Sequence, residues 1–245
     1  WFLNFFTDPY FGRLLKNTFM ISGLTILFGF PAPIILALMI NEVKNSAFKR
    51  TVQTITYMPY FISMVVLCGL LKTFCMQDGL FAQIAVLFGG KAQNYLANPA
   101  YFRTIYVLSD IWSGIGWNSI IYLAALSSID QEQYEAARVD GANRFKQMIH
   151  ITLPGLVPTI MVLFILRMGN ILNVGYEKIL LLYNSATYST ADVISTYTYR
   201  LSFGGSGNPM YSKSTAIGLF NTIINVFFLM LTNMISKKAT DAGLF

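Results

Sequence analysis

The chain has 245 residues, of which 55% are hydrophobic and only 11% are charged. A soluble domain typically carries about 25% charged residues, so this composition excludes an ordinary soluble protein and predicts one that crosses a lipid bilayer several times. The formal net charge is +6, but the basic residues are scattered between apolar stretches and form no cationic stripe of the DNA-binding kind. We therefore expect membrane lipid, and no nucleic acid, as a partner.

The apolar stretches predict an all-α polytopic fold with about five transmembrane helices, at about 18–40, 52–74, 103–126, 154–175 and 214–235. Residues 1–16 are rich in aromatic side chains and lack the features of a signal peptide, so they are predicted to lie at the membrane interface. Pro31 and Pro33 in the first span and Pro59 in the second lack backbone donors, which predicts a break or kink in each helix.

The segments between the spans differ in character. Residues 76–102 form a long connector in which the apolar run 83–88 is too short to cross about 30 Å of hydrocarbon, which predicts a short interfacial or re-entrant helix. The polar stretch 176–212 contains Gly204, Gly205, Gly207 and Pro209, which indicates a surface loop. The lysines at 237 and 238 favour a cytoplasmic C-terminus. The loop 127–153 then also lies in the cytoplasm, and the segments 76–102 and 176–212 lie outside.

The cysteine and histidine content argues against disulfide and metal chemistry. Cys68 and Cys75 are seven residues apart in one predicted helix. That is about 10 Å along its axis, too far for a disulfide, so we interpret both as packing residues. His150 is the only histidine and no Cys/His cluster occurs, so we expect no metal site.

A long polar segment between two hydrophobic spans runs from Asp130 to Pro154. Asp130 followed by Gln133 has the form of a capping box, and Gly141 lies where a helix would need a left-handed terminator, which predicts a short helix at 131–140. Phe145, Met148 and Ile149 recur at three- and four-residue spacing on an otherwise polar surface, which predicts a second helix at 143–150. Together they predict a structured helix-turn-helix.

This segment also carries a family signature. Glu135-Ala136-Ala137, Gly141, Ile151 and Leu153-Pro154 follow the spacing E-A-A-x-x-x-G-(nine residues)-I-x-L-P without a gap. The pattern resembles the EAA loop of binding-protein-dependent ABC importer permeases. Gly116-Trp117 and the stretches 121–126 and 134–143 look like the permeases that import oligosaccharides and polysaccharide fragments. The resemblance covers nearly the whole chain.

The resemblance implies a type I importer permease of the bacterial inner membrane, six-helical if another helix precedes Trp1. It also implies a second similar permease subunit, two ATP-binding cassette subunits and an extracytoplasmic substrate-binding protein as partners. The EAA loop, 127–153, would dock on the ATPase subunit. The candidate coupling residues are Glu135, Ala136, Ala137, Asp140, Gly141 and Phe145. The alanines would allow close approach, Gly141 a sharp turn, and Glu135 a contact with a basic group.

The chain offers no nucleotide site of its own. Gly89-Gly90-Lys91-Ala92 lacks both the earlier glycine and the Ser or Thr of a phosphate-binding loop. We therefore expect no catalytic residue and no cofactor in this chain, with ATP and Mg bound by the partner ATPase, so that the subunit alone is not an enzyme.

Asp110 and Arg167 stand out within the predicted spans, where charge is costly and usually faces a cavity or a partner. Arg167 lies about 20 Å along the fourth span from the cytoplasmic side, and Asp110 about 10 Å along the third from the outer side, so their depths coincide in a core of about 30 Å. They could form an ion pair or contact substrate. An arginine in the pathway could favour uronic-acid oligosaccharides.

Sugars bind to aromatic planes and to amide and charged groups, which the spans supply. The candidate pathway residues are Tyr57, Tyr60, Asp110, Trp117, Asn118, Arg167, Asn170, Asn221 and Asn225. The alternative for each is helix packing or interfacial anchoring.

Two other classes of function compete with the importer. An ion-coupled secondary transporter would need coupling-ion ligands and usually an internal repeat, yet Asp110 is nearly the only intramembrane carboxylate and no repeat is evident. A membrane-embedded enzyme would need a nucleophile motif or a His/Cys/Asp cluster, and the sequence contains neither.

Overall fold

The computed structural model describes residues 1–204, 208–240 and 243–244. Gly205 and Gly207 of the glycine-rich stretch lie outside these residues. The described backbone is helical and contains no strand. Its α-helices are α1 (Phe2–Phe6), α2 (Phe11–Leu24), α3 (Pro31–Glu42), α4 (Ser46–Tyr57), α5 (Met64–Cys75), α6 (Leu80–Leu87), α7 (Pro99–Ser127), α8 (Gln131–Val139), α9 (Arg144–Gln147), α10 (Leu153–Met168), α11 (Tyr176–Leu182), α12 (Tyr188–Ala191), α13 (Ile194–Phe203) and α14 (Tyr211–Thr240).

Four helical stretches in the described residues are long and apolar enough to cross a membrane. They are Phe11–Glu42, Met64–Leu87, Arg144–Met168 and Tyr211–Lys238. Helix α7 has 29 residues and is also long enough, at about 43 Å, to cross the hydrocarbon core. These five stretches correspond to the five predicted spans, with shifted boundaries.

The first span starts earlier than predicted, and its helix is distorted just before its two prolines. Helix α2 begins at Phe11, and the helix widens into a π-helical turn at Thr25–Gly29 before α3 begins at Pro31. Pro31 and Pro33 have no N–H to donate to the preceding turn, which explains the irregular segment just before them. The predicted break is confirmed.

The second predicted span, 52–74, is wrong as a single helix. Helix α4 ends at Tyr57, a 3₁₀ turn follows at Met58–Phe61, and α5 begins only after Ser63, whose hydroxyl accepts a hydrogen bond from the Val66 N–H. Pro59 ends the first helix and Ser63 caps the next, so the break is complete. The short helix predicted at 83–88 is observed as α6, and it extends the apolar stretch that begins at Met64.

The chain forms two compact units. Unit 1 contains Trp1–Gly29, Phe61–Ile111 and Asn170–Val226. Its core includes the fully buried side chains of Ile21, Phe102, Ile179 and Val193. Cys68 and Cys75 are free, buried and part of the same core, as the packing interpretation predicted.

Much of the polar stretch 176–212 belongs to the interior of unit 1, which corrects the expectation of a surface loop. Helices α11, α12 and α13 occupy most of it, and Ile179, Ala191 and Ile194 are fully buried. The polar side chains satisfy one another and the backbone. Asn17, for example, donates to the carbonyl oxygens of Ser189 and Asp192 at 3.2 and 2.9 Å.

Two buried charge clusters stabilise this part of unit 1. Asp192 is buried, and Arg200 donates to its two carboxylate oxygens at 2.7 and 2.8 Å. Burial alone would lower the pKa of Arg200, but its hydrogen bonds with Asp192 raise it above the ordinary value. In the second cluster, Lys213 and Tyr197 donate to Asp8 at 2.8 and 2.5 Å. Burial would raise the pKa of Asp8, yet these hydrogen bonds hold it below the ordinary value.

Unit 2 contains Phe30–Tyr60, Trp112–Gly169 and Phe227–Phe245. Its core is formed by Ala37, Tyr122, Leu126 and Leu156, with partly buried aliphatic side chains packed against them. Helices α8 and α9 extend from this core as the polar hairpin that the sequence predicted.

Candidate coupling hairpin and pathway residues

The first half of the polar hairpin is a capped helix with a left-handed terminator. Asp130 accepts a hydrogen bond from the Glu132 N–H at 3.0 Å, and α8 then runs to Val139. Gly141 has φ +78°. Beyond it, the Ala142 N–H donates to the Ala137 carbonyl at 2.8 Å, the pattern of a Schellman motif. The predicted helix at 131–140 and its glycine terminator are confirmed.

The second half of the hairpin is the start of a membrane helix. Asn143 caps α9 by accepting from the Lys146 N–H at 2.9 Å. The helix passes through a π-helical segment at Met148–Thr152 and continues as α10. The predicted helix 143–150 is therefore continuous with the span that follows. The sequence analysis missed Asn143 as a cap, although an Asn just before an apolar-periodic run is a recognised helix start.

Side-chain contacts tie the hairpin to its own base. The hydroxyl groups of Tyr134 and Thr152 lie 3.0 Å apart, and Gln147 donates its amide to the Ala142 carbonyl at 2.8 Å. The Arg144 guanidinium lies 3.0 Å from Glu42, at the end of α3. These contacts favour a hairpin that moves as one body with α10.

The predicted coupling residues are on the outside of the hairpin. Glu135, Ala136, Asp140, Gly141 and Phe145 are exposed, and Ala137 is half-buried. The Phe145 ring is 64% exposed.

Val139, at the end of α8, is a second exposed apolar side chain of the hairpin, at 88% exposure. It was not predicted as a coupling residue, although an apolar residue that ends a short polar helix is a usable signal. Large apolar side chains exposed on a polar hairpin are candidates for contact with a partner.

A polar cleft of about 650 Å³ lies beside the hairpin in unit 2. It is lined by Asn41, Glu42, Leu126, Gln131, Tyr134, Arg138, Ala142, Asn143, Arg144 and Gln147. The lining combines the end of α3 with residues of the hairpin and includes both partners of the Arg144–Glu42 ion pair.

The predicted aromatic pathway residues of unit 2 include a stacked pair. The rings of Tyr60 and Trp117 are parallel within 5° with centroids 4.6 Å apart. Their side chains are 47% and 40% exposed, respectively. A Cβ on Gly116 would lie 2.1 Å from the Thr56 carbonyl oxygen, so only glycine allows α7 to approach the end of α4 this closely. Gly116 thereby brings the two rings together.

The remaining pathway candidates of unit 2 differ in exposure. Asn118 and Arg167 are exposed, whereas Tyr57 is half-buried. The Arg167 guanidinium takes part in none of the ion pairs that the structure shows among the described residues.

The asparagines of unit 1 have different roles. Asn225 is 7% exposed and accepts a hydrogen bond from the Leu172 N–H at 3.0 Å, so its side chain stabilises the backbone between α10 and α11. Asn170 is exposed and accepts from Asn173 at 3.1 Å. The Asn221 Oδ1 is buried without a hydrogen-bond partner in the described part of the chain. Their place in a pathway stays a prediction.

Asp110 is paired with a residue that the sequence analysis missed. Its Oδ1 lies 3.4 Å from the Nζ of Lys178, in α11. Lys178 was hidden within a segment predicted to be a loop, so its burial had no signal in the sequence. Among the ion pairs of the described residues, the partner of Asp110 is Lys178, and the pair with Arg167 is not observed.

Metal-ligating side chains are not clustered. No group of three or more His, Cys, Asp or Glu residues close enough to hold a metal ion occurs in the described residues.

Apolar helices of membrane-crossing length and an exposed, capped hairpin together define a polytopic membrane protein with a surface for a partner. The chain belongs to the family described as "Binding-protein-dependent transport system inner membrane component", which matches residues 29–241.

Individual relatives and a solved structure agree with this family. The chain is 43% identical to "Protein LplB" of Bacillus subtilis (strain 168), covering 100% of this chain and 76% of the relative. It is 41% identical to "Polygalacturonan/rhamnogalacturonan transport system permease protein YteP" of the same strain, covering 100% and 75%. The crystal structure of a bacterial ABC transporter involved in the import of the acidic polysaccharide alginate superposes with a TM-score of 0.93 at 46% identity, covering 98% of this chain and 83% of that chain.

The chain is therefore a membrane-spanning permease of the ABC importer class and a component of the bacterial inner membrane. The predicted family and the predicted all-α importer permease fold are both confirmed.

Proposed function

We propose that this permease forms part of the pathway by which a bacterium imports oligosaccharides derived from acidic, uronic-acid-containing polysaccharides. Support comes from the relative named for polygalacturonan and rhamnogalacturonan transport and from the alginate importer, which match this chain over 100% and 98% of its length. Both names describe polymers that contain uronic acids. The family name adds an external binding protein as the component that delivers the substrate.

The observation that carries the transport mechanism is the rigid, exposed hairpin 130–152. We propose that Glu135, Val139 and Phe145 dock this hairpin, from the cytoplasmic side, on a separate ATPase subunit, which binds and hydrolyses ATP with Mg. The exposed apolar side chains supply buried area, and Glu135 supplies a charge-assisted contact to a basic group. In this arrangement the ATPase subunit hydrolyses ATP, and the permease has no catalytic residue of its own.

We expect the hairpin to transmit a displacement of the ATPase to membrane helix α10. Because α9, the π-helical segment and α10 are continuous, a shift of the docked hairpin would move the membrane helix directly. The Arg144–Glu42 ion pair links the same movement to α3. A second permease subunit, docked on a second ATPase, would supply the other half of the pathway.

We place the sugar contacts on the exposed polar and aromatic residues of the pathway set. Tyr60 and Trp117 offer a preorganised aromatic surface, and pyranose rings present C–H faces that pack on such surfaces. The exposed Arg167 guanidinium offers two parallel N–H donors to a uronate carboxylate. A neutral oligosaccharide would use the aromatic surface alone.

Reconstitution tests this proposal. The permease, its partner permease, the ATPase subunits and the binding protein are placed in liposomes, and uptake of radiolabelled trigalacturonate is measured with and without ATP inside. We expect uptake that needs both ATP and the binding protein. Uptake driven by an ion gradient without ATP would instead support a secondary transporter, and ATP-dependent uptake restricted to neutral oligosaccharides would overturn the acidic substrate class.

A further inference from the structure

The Lys178 ammonium is held inside unit 1 by three contacts. Its side chain is 3% exposed. The Nζ donates to the Tyr106 carbonyl oxygen at 3.0 Å, lies 3.4 Å from Asp110 Oδ1, and is 4.6 Å from the centroid of the Tyr106 ring. A buried lysine is costly unless it is paired and hydrogen-bonded, and these contacts meet both requirements. Burial lowers the pKa of Lys178, and the contacts with Asp110 oppose that shift by favouring the ammonium form.

The carboxylate of the pair is placed differently. The Asp110 side chain is 42% exposed, whereas Lys178 is not accessible to any ligand. The Asp110 carboxylate therefore reaches the surface of unit 1, and any effect of Lys178 on a solute at that surface would act through the charge of the pair.

This arrangement is reversed in the other ion pairs of unit 1. In the pairs of Lys213 with Asp8 and of Arg200 with Asp192, the acid is the more buried partner, with side chains 8% and 1% exposed. Those acids are neutralised inside the fold. Among the ion pairs of the described residues, the pair of Lys178 and Asp110 alone combines a buried base with an acid on the surface.

We propose that Lys178 is a specificity-determining residue that cancels the charge of Asp110, so that the pathway admits anionic oligosaccharides. This inference rests on the proposed function and on the placement of Asp110 beside the pathway. A carboxylate without a counter-ion repels a uronate at contact distance, and the repulsion is strong where little water intervenes. With Lys178 beside it, the negative charge of Asp110 is offset by an ammonium group 3.4 Å away.

The test uses the reconstituted importer and two substrates, trigalacturonate and its fully methyl-esterified form, which has the same sugar chain but no charge. Uptake per assembled complex is measured for the wild type, Lys178→Met, the double variant Lys178→Met/Asp110→Asn, and the control Lys213→Met. Lys213 is a matched control because it is also a largely buried lysine paired with an aspartate, while Asp8 is too buried to meet a solute. Assembly is followed by co-purification with the ATPase.

We expect Lys178→Met to reduce uptake of the anionic trimer by about tenfold or more relative to its ester, because the positive charge that faces Asp110 is then removed. The double variant should restore the wild-type ratio of acid to ester, since it removes both charges. Lys213→Met should leave that ratio unchanged even where it lowers the yield of complex. If Lys178→Met assembles too poorly to assay, Asp110→Asn replaces it: this variant keeps the Lys178 charge without the carboxylate and should raise the ratio of acid to ester uptake, and an unchanged ratio would overturn the inference.

Three outcomes would overturn the inference. In the first, Lys178→Met keeps the wild-type ratio. In the second, Lys178→Met and the double variant lose uptake of acid and ester equally, which indicates a structural role. In the third, the double variant assembles but does not recover the ratio. Absence of trigalacturonate uptake by the wild type would instead reject the proposed substrate class, so the two failures are distinguishable.

Discussion

The hydroxyl groups of Tyr134 and Thr152 lie 3.0 Å apart and join the first helix of the coupling hairpin to the base of membrane helix α10. Tyr134 is half-buried and Thr152 is 2% exposed, so this contact is partly shielded from water. It closes the hairpin on the side opposite to the glycine turn. A docked ATPase would therefore push on a closed loop rather than on a flexible one.

Replacement of Tyr134 by Phe should loosen this loop without removing its docking surface. The lost hydrogen bond is worth about 1 kcal/mol. We expect normal co-purification with the ATPase but a lower ratio of sugar transported to ATP hydrolysed, measured in proteoliposomes. Tyr211→Phe, at an exposed tyrosine at the start of α14, is the control and should transport normally. An unchanged transport ratio in Tyr134→Phe would show that the hydroxyl contact does not serve coupling.

Replacement of Gly141 by a residue with a side chain should be unfavourable because of its backbone conformation and not because of steric crowding. A Cβ added there would meet nothing within 4 Å, but the φ of +78° is strained for an L-residue, at a cost of about 1 kcal/mol or more. We expect Gly141→Val to insert in the membrane normally but to bind the ATPase weakly in a pull-down. Gly12→Ala in α2 also has open space around it, without a positive φ, and should bind like the wild type. If Gly141→Val and Gly12→Ala bind the ATPase equally well, the left-handed turn at Gly141 has no role in docking.

Glu135 is expected to contact a basic group of the ATPase. Loss of a hydrogen bond to a charged group costs about 1.5–3 kcal/mol, so Glu135→Ala should weaken binding of the ATPase by about tenfold to a hundredfold. Glu132, in the first turn of the same exposed helix, provides the comparison. Glu132→Ala should bind within about twofold of the wild type, because a single exposed charge at a helix N-terminus contributes little. Titration of the solubilised permease with ATPase subunits measures both affinities.

The hairpin was predictable because its signals are local. An N-cap residue, a glycine terminator and a helical period each act within a few residues, so Asp130, Gly141 and Phe145 could be assigned from the sequence. The fold of 176–203 was not predictable in this way. Its polar composition indicated solvent, but Asp192 and Lys178 are buried beside partners that include Arg13 and Tyr106, and partners so far away in sequence leave no local pattern.

The candidate pathway residues also show contacts that could not be predicted from the sequence. The aromatic pair was predicted as two separate residues, and their stacking depends on the close approach that Gly116 allows between α7 and the end of α4. The depth of Asp110 suggested a partner of opposite charge, and depth alone favoured Arg167. The observed partner, Lys178, comes from a segment that periodicity did not assign to a helix. Charge and depth predict that a partner exists, whereas only the fold identifies it.

The orientation of the hairpin in the membrane can be tested by cysteine labelling. Both native cysteines are buried. In a variant in which both are replaced by alanine, labelling reports only on the single cysteine that is introduced. Cysteines in place of Asn143 and Lys238 should react with an impermeant maleimide only from the cytoplasmic side, and one in place of Asn208 only from outside. All three positions are exposed. Labelling of Asn143 and Asn208 positions from the same side would contradict the proposed topology.

The last prediction concerns Arg167, which is exposed near the end of α10 and takes part in none of the ion pairs of the described residues. An arginine in a membrane-crossing helix is costly against lipid, so we expect its guanidinium to face the pathway and to bind the carboxylate of an acidic sugar. Arg167→Gln should leave assembly and basal ATP hydrolysis intact but reduce trigalacturonate uptake by about tenfold or more, with little effect on its methyl ester.

Arg167→Lys keeps the charge but loses the paired donors, so an intermediate effect is expected. Arg50→Gln, at an exposed position in α4, is the control for loss of a single surface charge. Equal loss of acid and ester uptake in Arg167→Gln would show that the residue supports the structure of the pathway, and normal uptake of both would place its side chain outside the pathway.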